Sequence, residues 1–98
     1  LGQPAAADSA LRRSLALRRT YFPPDHWAIA SAEGVLGDHL ARRGRPAEGE
    51  RMLRAAYRKL VETRGADAAP TRRVAGYLAD LLARTGRAHE VADWRARR

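Results

Sequence analysis

The sequence predicts an all-α fold built from antiparallel helix pairs. Three observations predict it. A stretch of the chain repeats at an offset of 42 residues, as Gly44 and Gly86 show. Apolar residues recur at helical spacing through every segment between breaks. Glycine and proline punctuate those breaks where helices end and begin. No segment alternates apolar and polar residues with a period of two, so strands are not expected.

The repeat is plainest where LGDHLARRGRPAEGERML (36–53) returns as LADLLARTGRAHEVADW (78–94). Gly2, Gly44 and Gly86 align, as do Gln3, Arg45 and Arg87, then Pro4, Pro46 and Ala88. Leu11 matches Leu53, Arg12 matches Arg54 and Asp25 matches Asp67. Gly34, Leu36, Asp38, Leu40, Arg42 and Glu48 return as Gly76, Leu78, Asp80, Leu82, Arg84 and Glu90.

The elements follow in order. Residues 5–21 place Leu11, Leu15 and Tyr21 along one stripe, with Leu17 and Phe22 flanking it. The run Pro23-Pro24-Asp25 ends this helix, and Asp25 is placed to cap the next. Residues 27–43 carry Ile29, Ala32, Leu36 and Leu40 on one stripe, with Val35 beside it. Gly44 suits a left-handed residue after that helix, and Pro46 suits the first turn of the following one. Residues 47–64 set Met52, Leu53, Ala56, Tyr57, Leu60 and Val61 at helical spacing. Asp67 and Pro70 repeat the cap-and-proline arrangement ahead of residues 71–85, which hold Val74, Tyr77, Leu78, Leu81 and Leu82. Gly86 then precedes a short helix at 88–97 with Val91 and Trp94, both tryptophans (Trp27 and Trp94) being expected in helix packing.

Composition bounds the class. Ninety-eight residues make one domain at most, and a hydrophobic content of 45% excludes a disordered tail. No apolar run approaches the roughly 20 residues of a membrane span, so no membrane partner is expected. The chain opens on Leu1 without a basic-then-apolar leader, which predicts a domain cut from a longer protein. Cysteine is absent, which removes disulfides and thiolate metal sites and fits a reducing, cytoplasmic setting. The net charge is +8, and Lys59 is the only lysine. Such a balance favours nucleic acid or an acidic partner, or reflects a coding bias toward Arg and Ala. The arginines are scattered and no aromatic residues interleave with them as stacking platforms, which argues against nucleic acid.

Catalytic chemistry finds no footing. Asp38 and His39 are neighbours on a helix and point about 100° apart, so they do not converge on one ligand. His26, His39 and His89 sit on different segments without metal-ligand spacing. Ser9, Ser14 and Ser31 lack a nucleophile-elbow context, and no glycine is followed by the Lys-Ser or Lys-Thr of a phosphate loop. The expectation is a non-enzyme with no cofactor and no metal.

The spacing Leu36, Gly37, Leu40, then Gly49, Leu53 and Ala56 resembles the tetratricopeptide repeat, with Gly49 where that family usually has Ala. The usual period is about 34 residues. The longer period here, with LRRSLALRRTYFPPDH (11–26), looks like the repeats of kinesin light chains. The resemblance implies a right-handed superhelix of about five helices. Residues 1–26 would be the second helix of a truncated repeat, 27–68 a full repeat, and 69–98 a terminal repeat with a short capping helix. It also implies a protein-interaction scaffold, attached to a larger regulatory protein, whose first helices line a concave face. On that register Ser31, Gly34, Asp38, Ala41 and Arg42 face the groove in one repeat, and Arg73, Gly76, Tyr77, Asp80, Ala83 and Arg84 in the next. The i, i+4 pairs Asp38–Arg42 and Asp80–Arg84 would support their helices by about 0.3–0.5 kcal/mol each or form the groove floor. The partner would be a peptide or a sister domain. The competing readings are a homo-oligomer formed through the apolar face of helix 5–21 and nucleic-acid binding driven by charge.

Overall fold

A computed structural model describes residues 4–98. The predicted turn at Gly2 and Gln3 lies outside them. The fold is all-α. Its five helices are α1 (Pro4–Tyr21), α2 (Trp27–Arg42), α3 (Pro46–Arg64), α4 (Ala69–Arg84) and α5 (Ala88–Arg97). Each packs on the next, and α2 also packs on α4. Helices α2 and α4 therefore each touch three neighbours and organise the core.

The turns follow the expected glycine chemistry. Gly44 and Gly86 end α2 and α4 with φ of +88° and +78°. Gly65, which the sequence did not single out, ends α3 at φ +88° in the same way.

The expected carboxylate caps are corrected. His26, not Asp25, is the N-cap of α2, and its Nδ1 accepts from the Ala28 N–H at 3.0 Å. Asp25 stands one residue too early, is exposed, and accepts from Lys59 of α3 at 3.1 Å. Asp67 is likewise one residue early. The α4 N-cap is Ala68, which makes no side-chain cap bond, and Pro70 falls within the first two positions of the helix. That helix consequently begins at Ala69 rather than at 71.

Two apolar clusters fill the interior. Leu15 of α1 joins Ile29, Ala32, Leu36 and Leu40 of α2, with Leu11 and Met52 packed against them. The larger cluster runs through Leu53, Leu60, Val74, Leu78, Leu82 and Trp94. Two residues placed on predicted stripes stay outside. Tyr21 is 78% exposed and Val61 37% exposed. Each lies at the edge of its helix's buried face, turned from the neighbours present.

The closest backbone approach is between α2 and α3. A Cβ on Gly49 would lie 2.5 Å from the Gly37 carbonyl oxygen and 2.8 Å from Ala41 Cβ. A Cβ on Gly37 would meet Gly49 oxygen at 3.1 Å and Leu53 at 3.2 Å. Gly34 opens a second close approach, because a Cβ there would lie 2.7 Å from Val74 Cγ2 on α4.

These distances set opposite signs for one substitution. Gly76→Ala, whose added methyl meets nothing nearer than 3.7 Å, should stabilise α4 by roughly 0.5–1 kcal/mol. Gly49→Ala should instead destabilise by about 1–3 kcal/mol, because it drives backbone against backbone. Urea denaturation of the two variants measures both.

Candidate functional site

The predicted groove residues do not form one surface. Gly34 and Ala41 are buried, Gly34 beneath Val74, so they are packing rather than surface. Asp38, Arg42 and Asp80 form one row across two helices. Arg42 Nε donates to both Asp38 oxygens at 3.1 Å, and its Nη2 lies 3.7 Å from Asp80 Oδ2. Ser31 of α2 and Arg73 of α4 meet at a separate cavity of about 220 Å³ beside α1. Tyr77 sits half-buried against the larger core cluster.

One predicted pair is not formed. Asp80 turns to Arg42 of the neighbouring helix instead of Arg84, four residues along its own. Helix spacing alone favours Arg84, but the α2–α4 packing brings Arg42 within reach. Arg84 and Arg73 are exposed and have no ion pair among the described residues. The α2–α4 face thus offers an acidic row partly offset by Arg42, with unpaired guanidinium groups on either side of Tyr77.

Asp38 and His39 diverge as expected. Asp38 serves Arg42, while His39 Nε2 points toward Asp8 of α1 at 3.7 Å. Among the described residues no group of three His, Cys, Asp or Glu side chains is placed to hold a metal ion.

A second polar constellation was not singled out from the sequence. Arg87, at the N-cap of α5, donates through Nη1 to Glu50 Oε2 of α3 at 3.2 Å, and its Nη2 bonds the other oxygen. Arg54 donates to Glu50 at 2.9 Å and to Glu90 of α5 at 3.1 Å. Beside them Tyr57 meets Trp94 edge-on at 4.8 Å, and the Arg97 guanidinium lies 4.2 Å over the Trp94 ring. Trp27 likewise packs at the core with Arg64 4.6 Å over its ring. The register contains the signal for the network. Asp8 and Arg12 stand 42 residues before Glu50 and Arg54, and they too are paired, at 2.9 Å.

Hydrogen bonds from Arg87, then Arg54, hold the Glu50 carboxyl below the usual carboxylate range despite its burial. Burial opposes the charge of Arg54, yet its bonds to Glu50 and Glu90 outweigh that and raise its pKa. The network joins α3 to α5, which also meet where Trp94 and Arg97 lie against Tyr57.

No family model, curated protein or solved structure matches the chain.

The lowered Glu50 pKa fixes a pH dependence. Its contribution is complete above the ordinary value of 4.5 and is lost as pH falls through the lower folded value. Glu50→Gln should cost roughly 1 kcal/mol at pH 7, a figure reduced because both arginines are partly exposed. In denaturation series at falling pH, the gap between parent and variant should close below pH 4.5.

Proposed function

We propose that the chain is a protein-interaction module, tetratricopeptide-like in its repeat, that takes an extended peptide or a sister domain along the α2–α4 face. One observation carries this reading: Arg42 bridges Asp38 and Asp80 and makes one continuous surface of two successive first helices. Arg42 offsets part of the Asp38 and Asp80 charge, and the cations of the face without an ion pair among the described residues are Arg73 and Arg84. They lie eleven positions apart on α4, about 16 Å along the helix. That distance matches about five residues of extended chain. The favoured ligand therefore carries two acidic groups about five residues apart, with an apolar side chain between them for Tyr77. Recognition of this kind needs no cofactor and no catalytic group.

Selection of displayed random peptides on the chain tests this. Enriched sequences should show the acidic–apolar–acidic spacing. Arg84→Glu and Arg73→Glu should each weaken them about tenfold, as loss of a charge-assisted contact does. Thermal stability should stay within about 0.5 kcal/mol of the parent, because both side chains are exposed. Undiminished binding in both variants would place the site elsewhere. Oligonucleotide binding that falls steeply with salt, in place of peptide binding, would favour the nucleic-acid reading.

A further inference from the structure

We propose that the outer face of α1, carrying Ala10, Ser14, Leu17 and Tyr21, is a docking site for an amphipathic helix of a partner polypeptide. That helix would take on α1 the place that α2 takes on α3.

The repeat supplies the template. On α3, Met52 packs against the Leu36–Leu40 cluster of α2. Ala56 Cβ lies 3.7 Å from where a Gly34 Cβ would stand, and Lys59 bonds Asp25 just ahead of α2. These residues mark the side of α3 that receives its paired helix. Forty-two positions earlier, the same side of α1 presents Ala10, Ser14 and Leu17, and Tyr21 answers to Thr63. Among the described residues α1 packs on α2 alone, and Ala10, Leu17 and Tyr21 of that side are exposed while Ser14 borders α2.

The chemistry of this side departs from ordinary solvated surface. Where α3 has Lys59 and Thr63, α1 has Leu17 and Tyr21, which are 52% and 78% exposed. An exposed apolar pair at positions that are polar in the equivalent helix is the pattern of a covered face. At its base the 220 Å³ cavity opens between Leu11, Ser14 and Arg18 of α1 and Ser31, Ala32 and Val35 of α2. Ala7 stands where α3 has Gly49, the residue that admits Gly37 of α2. The occupant therefore needs a small residue at that crossing and an apolar stripe along Leu17 and Tyr21.

Charge selects the kind of partner. Arg13 on the outer flank and Arg73 at the cavity rim are both exposed and without an ion pair among the described residues. Two copies of α1 facing each other would bring these same cations together, which opposes self-association. A helix with an acidic flank would meet them with complementary charge.

The chain's own α2 sequence, residues 27–42, supplies a probe with the required glycines and with Glu33 and Asp38. As an acetylated and amidated peptide it should bind the 98-residue chain saturably in calorimetric titration. The double variant Leu17→Asp with Tyr21→Asp should weaken binding at least tenfold, with its helical circular dichroism unchanged. A peptide carrying Glu33→Lys and Asp38→Lys should bind several-fold more weakly than the original. Arg84→Glu in the chain should leave the affinity unaltered, which separates this site from the α2–α4 face. Absence of saturable binding, or equal binding to the double variant, overturns the proposal. So does concentration-dependent dimerisation of the chain that the double variant abolishes, since a second copy would then cover the face.

Discussion

The crossing of α2 and α3 at Gly37 and Gly49 sets the spacing on which the other contacts depend. With no side chain on either residue, backbone meets backbone, and Leu36, Leu40 and Leu53 close over the contact with almost no exposure. In a core of this size each buried leucine is a large share of a marginal stability, so the density of the α2–α3 interface matters. Held this way, α2 turns Gly34 toward α4, and Val74 enters the gap. The Asp38–Arg42–Asp80 row exists only because that second approach brings two first helices side by side.

The positive charge of the chain is less uniform in use than in composition. Several guanidinium groups are structural. Arg18 donates to the Ala28 carbonyl at 2.8 Å, Arg54 and Arg87 bind Glu50, and Arg64 and Arg97 lie over tryptophan rings. Planar, delocalised and weakly hydrated, arginine suits such half-buried duties where lysine would not. The cations left over stand on surfaces where apolar or aromatic groups are also exposed. Local pairing, rather than net charge, therefore decides where an anionic partner is favoured.

Much of the fold was legible because its signals are local. Periodicity located five helices, and Gly44 and Gly86 marked their ends through a backbone conformation that other residues adopt at a cost. The errors arose where neighbouring positions compete or where distant ones meet. Asp25 and Asp67 had the right chemistry for caps but stood one residue short of the extended position, which His26 and Ala68 occupy. The Asp80–Arg84 pairing assumed that an isolated helix satisfies itself, whereas the interhelical approach supplied Arg42. Tyr21 was assigned to a buried stripe because the repeat implies a neighbour on that side, and the described helices provide none. For the candidate face, the repeat register names residues but not how they divide between packing, pairing and free charge, since that depends on interhelical distance.

The carboxylate of Glu50 also gives the architecture a direction. On α3 the acid Glu50 and the base Arg54 reach past α4 to Arg87 and Glu90 at the start of α5. At the same two places α5 has Ala92 and Ala96. It accepts the polar lock from α3 and carries no acid or base at the two equivalent positions. Val91, where α3 has Gly49, likewise forbids the tight crossing with its paired helix α4. The polar lock thus has a polarity: acid and base stand on the earlier helix, α3, and their partners on the later one, α5.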